Sequence, residues 1–198
     1  MKYKQATFLT IIALLVTIPF THAQKLKLTQ GDLKALQGET ELNVVYEYSP
    51  MRVGKFEREE DYLAKKKAEY NEKEAGRGDK WEAAWKGDRS ARFEPQFEEL
   101  FNKHAKSLKV GQYPSAKYTL IVKTTFTEPG FNVYVTRKNA SIDGEAIIVK
   151  TGETSPVATI SFEKCPGRTF GGYDYDTGTR IQEAYALLGK SLARYISK

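Results

Sequence analysis

The sequence predicts an α+β fold: a mainly antiparallel or mixed sheet of about five strands, with helices packed on it and a long C-terminal helix. Three observations predict it. After position 110, runs of β-branched and aromatic residues alternate with period two and are joined by short turn segments. Between about 55 and 108 the apolar residues recur at helical spacings instead. The chain then ends on its strongest amphipathic helix pattern.

The first 23 residues read as an export leader, separate from the fold. Lys2 and Lys4 supply a positive start, 8–20 form an apolar run, and Thr21-His22-Ala23 places small residues at the −3 and −1 positions of a cleavage site. The apolar run is shorter than the roughly 20 residues needed to cross a bilayer, so no transmembrane segment is expected after cleavage. The expected mature chain starts at Gln24, in the periplasm or outside the cell, as a single domain over 24–198 with a helical insert at about 55–108.

Within that domain, LNVVYEY (42–48) is the first predicted strand, with Leu42, Val44, Tyr46 and Tyr48 on one side and Ser49-Pro50 ending it. A helix with a thin apolar stripe follows to about 75. Gly76-Arg77-Gly78-Asp79 breaks it, and WEAAW puts Trp81 and Trp85 at i and i+4 on one face of a short helix that Gly87-Asp88 should end. Such a pair serves either as core packing or as an exposed recognition surface. A third helix over about 94–108 has Pro95 in its first turn and an apolar seam of Phe97, Leu100, Phe101, His104 and Leu108.

Four strands are then expected in a meander: 117–126, 131–135, 141–150 and 156–162, the short links favouring antiparallel neighbours. Apolar residues on both faces of the first half of the first of them suggest a central strand with some cover on each side. The last helix has Thr179 and Gln182 spaced as a capping box and a face of Ile181, Ala184, Tyr185, Leu188, Leu192, Tyr195 and Ile196. Gly189 interrupts it at a cost of about 1 kcal/mol relative to alanine, which suggests a close approach of this helix to the sheet.

Composition excludes several classes. Removing Lys2 and Lys4 leaves 29 basic against 25 acidic residues, interleaved through 55–106, so no basic stripe offers the long-range field that nucleic-acid binding needs. One cysteine, Cys165, rules out an internal disulfide, and one mature histidine, His104, lies far from it in sequence. GxSxG, HExxH and CxxC are absent. No catalytic residue and no cofactor are expected, and the chain leans away from an enzyme. The richest segment is GRTFGGYDYDTGTR (167–180). Asp174 and Asp176 are its weak candidates for a divalent cation, and Tyr173, Tyr175 and Arg180 join Trp81 and Trp85 as candidate interaction or ligand residues.

TLIVKTTFTEPGFN, IDGEAIIVKTG and FGGYDYDTGTRIQEAYALLGKSLARYI together resemble a family of exported Bacteroidetes-type proteins of unknown function. More distantly they resemble the periplasmic α/β domain of curli-secretion-channel-type proteins and related envelope lipoproteins. The resemblance covers about 117–197 and brings no active-site residues. It implies a non-enzymatic envelope role by binding or assembly, with an envelope protein or a second copy of the chain as partner. The chain departs from the lipoproteins in lacking a lipid-attachment cysteine near the cleavage site. The alternative function is a small-ligand or divalent-cation protein using the 167–180 loop.

Overall fold

The computed structural model describes residues 24–133, 135–167 and 175–197. The leader, Tyr173 and Asp174 lie outside them. β1 (Lys25–Gly31) is followed by a 3-10 turn (Lys34–Leu36), β2 (Glu41–Glu47) and the two-residue β3 (Arg52–Val53). α1 (Glu59–Lys73), α2 (Arg77–Asp88), a π turn (Arg89–Phe93) and α3 (Glu94–His104) come next, then β4 (Lys109–Gly111) and β5 (Tyr118–Glu128). A small hairpin of β6 (Phe131–Asn132) and β7 (Arg137–Lys138) leads to β8 (Ala140–Lys150), β9 (Pro156–Gly167) and α4 (Thr177–Ile196).

The main sheet has the order β1-β9-β8-β5-β2-β4, with β3 pairing β5 beyond the end of β2. β5, β8, β9 and β1 are antiparallel neighbours, whereas β2 runs parallel to both β5 and β4. The sheet is therefore mixed. A parallel return needs a crossover, and the helices between 59 and 104 supply it, so the expected insert is the connection that makes the β2–β5 pairing possible.

Two expectations for the sheet need correction. KLKLTQG was not expected to be a strand, yet it forms β1, its two leucines half-buried and its lysines exposed. FNVYV is not a strand of the main sheet: it turns back on itself, Val135 N–H donating to the Val133 carbonyl, because Val133 and Val135 are 55% and 94% exposed and have no core to cover. β5 is a central strand with some cover on each side, as expected, though the two faces are not covered alike. α3 and α4 bury Leu120 and Val122 with Leu42, Val44, Ile148, Ala158 and Ile160, while the opposite face carries the half-exposed row Val45, Ile121, Ile147 in register.

The helices also differ from the reading of the sequence. Gly76, at φ +78°, makes the turn between α1 and α2. α2 does end at Gly87-Asp88, but the helical path is not interrupted there: the chain continues through the π turn into α3. Pro95 lacks an N–H and cannot bond one turn back. The π turn, in which Glu94 N–H reaches the Arg89 carbonyl five residues away, lets the helix continue past it. α3 stops at His104, and Leu108 is buried in the link to β4. On α4 the N-cap is Asp176, not Thr179, and Gln182 donates to Gln96 of α3. Gly189 does mark a close approach, but to α3: a Cβ there would run into the Phe97 carbonyl.

At each edge of the sheet a side chain carried on a helix meets part of the backbone. At β4, Val110 N–H donates to Asn102 Oδ1 and Asn102 Nδ2 donates to the Val110 carbonyl, each at 2.8 Å. At β1, Leu28 N–H donates to the Tyr195 hydroxyl at 3.0 Å. These are edge groups that would otherwise invite another strand.

Candidate functional site

The tryptophan pair is packing. Trp85 is 8% exposed and its Nε1–H donates to Glu59 Oε1 at 2.6 Å. Trp81 is half-buried, edge-on to Tyr62 and tilted against Tyr70, so the two indoles hold α2 against α1. The i, i+4 spacing placed them on one face correctly. What that face meets was not readable, because α1 and its tyrosines are brought there by the Gly76 turn.

The described part of the 167–180 segment docks α4. Asp176 Oδ1 accepts from Gly178 N–H and Thr179 N–H at 2.6 and 3.2 Å, and Oδ2 accepts from Arg92 Nη1 at 3.0 Å. Arg92 also meets Asp88 at 3.1 Å, which ties the cap to the π turn. Burial pushes the Asp176 carboxyl upward, but Arg92 and the two backbone N–H groups outweigh it and hold the group below its usual range. Asp88, with less help from Arg92, is raised by burial. Arg180 is buried, its guanidinium donating to the Pro129 and Gly130 carbonyls and to Thr177. Tyr175 is exposed. Arg180 thus fastens α4 to the β5–β6 turn, while Trp81 packs within the α1–α2 pair.

Beneath β2 lies a polar network that the sequence did not reveal. The Tyr48 hydroxyl donates to Glu94 Oε1 at 3.0 Å and the Tyr46 hydroxyl to Glu98 Oε1 at 3.1 Å. Arg89 lies 4.3 Å from the Tyr48 ring centroid and donates to Glu59 Oε2 at 2.6 Å. Deeper in, the Tyr185 and Thr124 hydroxyls share a hydrogen bond of 2.7 Å. Burial, reinforced by the neighbouring carboxylates, raises the Tyr46 and Tyr48 phenols, which therefore stay protonated as donors. Glu98 is raised by burial, partly offset by Tyr46.

This network holds elements together and brings no nucleophile to a base. Each carboxylate in it has a donor, and the adjoining cleft of about 280 Å³ is lined by the 48–51 segment after β2 and by residues 57–60, which lead into α1. Burial, then Asp143, pushes the Cys165 thiol upward, so it remains a neutral core side chain. Burial and the cations Arg194, Lys190 and Lys103 lower His104. Among the described residues no three His, Cys, Asp or Glu side chains converge as a metal site, and no helix is long and apolar enough to cross a membrane.

A larger concavity lies elsewhere. A groove of about 770 Å³ runs between β1, the 3-10 turn, the 106–108 link and the end of α4. Leu28, Leu33, Leu36, Leu108, Tyr195 and Ile196 form its apolar lining, and Asp32, Lys34, Glu39 and Lys106 its charged rim. None of these residues stood out in the sequence as a site. The signal was present only as scattered leucines, since four separate segments supply the walls.

No protein-family model, curated protein or solved structure matches the chain.

Proposed function

We propose that the chain is an exported module that acts by binding and not by catalysis, seating an apolar or amphipathic segment of an envelope protein in the groove between β1 and the end of α4. The groove itself is the observation that carries this reading: an apolar floor with a rim of both charge signs suits a side chain or helix turn that is apolar on one face and polar on the other. The leader-like start of the sequence supports an exported address. The engagement of the buried carboxylates, phenols and thiol elsewhere supports a non-catalytic role.

A photo-crosslinking residue placed at Leu33 tests the reading in the source cells. The expected result is a cross-link to a distinct envelope protein that is lost when Ile196→Glu is added, with the near-UV circular dichroism unchanged. Cross-links only to a second copy of the chain would replace that partner with self-assembly, and none at all would remove the groove as a docking site.

The competing reading, a small ligand or divalent cation on the 167–180 loop, draws from the described residues on Asp176 and Arg180. Both already have structural partners. A thermal-shift panel of metals and anions checks it: an increase in Tm with any of them would favour that loop, because a ligand of the native state raises its stability.

A further inference from the structure

We propose that the face of the sheet turned away from α3 and α4 is an interface between two copies of the chain, related by a two-fold axis that runs along the strands between β5 and β8. It uses none of the groove residues, so it stands apart from the reading above. An apolar row comes first. In the register of the sheet Val45, Ile121 and Ile147 lie side by side on β2, β5 and β8, and Thr159 continues the row on β9. Val45 is 42% exposed and both isoleucines are half-exposed, where a sheet face meant only for water would carry polar side chains. The next row reads Glu47, Lys123, Glu145, Ser161 and Lys27 from β2 to β1, so the charges alternate between neighbouring strands. Glu47, Lys123 and Glu145 make no ion pair among the described residues. On the other side of the apolar row the polar groups bond one another: Asn43 Nδ2 donates to Thr119 Oγ1, which shares a hydrogen bond with Thr151.

The charge pattern selects both the occupant and the axis. A row of alternating sign repels a partner surface of either single sign, but it complements a second copy of itself turned around. Rotation by 180° about an axis along the strands keeps each row level with itself and reverses the strand order. β5 then faces β8 of the second copy, and β2 faces its β9. Lys123 meets the partner's Glu145, Glu145 meets the partner's Lys123, and between these two pairs Ile121 and Ile147 pack on their counterparts. An axis across the strands through the charged row would set Lys123 on the partner's Lys123, which like-charge repulsion disfavours. Sheets stacked about 10 Å apart leave room for one layer of side chains from each copy. Only three aliphatic side chains per copy leave water, so the pair forms on concentration, parts on dilution and weakens with salt.

Sedimentation velocity of the purified protein over a concentration series tests the proposal, together with the single charge reversals Lys123→Glu and Glu145→Lys. Both side chains are half-exposed, and near-UV circular dichroism checks that each variant is folded. The wild type is expected to pass from monomer to dimer between micromolar and millimolar concentration. Each variant alone should dimerise about tenfold more weakly or worse, because like charges then meet at two places. An equimolar mixture of the two variants should regain the dimer, since every glutamate at 123 or 145 then faces a lysine. A wild type that stays monomeric throughout overturns the proposal, as does a dimer that survives both reversals. A mixture that stays monomeric with both variants folded overturns it too. Ile196→Glu, the groove variant, is expected to leave the dimer unchanged, and a dimer lost in that variant would place the contact in the groove and remove it from this face.

Discussion

The carbonyl oxygen of Phe97 occupies the space into which any side chain at Gly189 would project, so α3 and α4 approach closely at this point. Gly189→Ala should gain about 1 kcal/mol of helix propensity and lose more to the collision, for a net destabilisation of about 1–2 kcal/mol. Gly87 has open space around its Cβ position and serves as the opposite case, where alanine should stabilise by about 0.5–1 kcal/mol. Urea unfolding of the two variants checks both signs, with unchanged m-values showing that the native state is intact.

Asp176 both caps α4 and receives Arg92, so Asp176→Ala should cost about 1–2 kcal/mol at neutral pH. The dependence on pH has a definite sign. The folded carboxyl binds its proton less readily than the unfolded one, so its contribution is present above the unfolded carboxylate range and is lost as the pH falls through the lower folded value. The stability gap between wild type and the variant should be full at pH 6–7 and shrink below about pH 4. A gap that stayed constant to acid would show that the cap acts through shape alone.

Glu59 takes hydrogen bonds from both Trp85 and Arg89 while 12% exposed, which makes this pair the least replaceable polar contact of the α1–α2 hairpin. Glu59→Gln keeps an acceptor for the indole but leaves Arg89 without its counter-charge, a loss of about 3 kcal/mol. A double-mutant cycle with Arg89→Met should return a coupling of about 1–3 kcal/mol, and additive effects would mean that the pair is merely adjacent.

The edge caps predict a local effect more than a global one. Tyr195→Phe should cost about 1 kcal/mol and speed hydrogen exchange at Leu28, and Asn102→Ala should do the same at Val110. Unchanged protection at both amides would show that neither side chain guards its edge.

Much of the fold was legible because periodicity reports burial directly. The alternation in 117–126, 141–150 and 156–162 gave β5, β8 and β9, and the long apolar face after 177 gave α4. Chain direction was not legible. Nothing in LNVVYEY says that it pairs parallel with β5, because that depends on a crossover built from helices whose own sequence only shows that they are amphipathic. FNVYV alternates as well as any strand, and fails for want of a neighbour to cover it. At the candidate groove the limit is the same: Leu28, Leu36, Leu108 and Ile196 are unremarkable leucines and an isoleucine until the sheet edge, the 3-10 turn and the end of α4 are set side by side.

Asn102 and Tyr195 stand at opposite margins of the sheet and each satisfies backbone groups that another chain would need. Strand addition over Leu28 or over Val110, the open-ended route by which sheet proteins form fibres, therefore has to displace a side chain first.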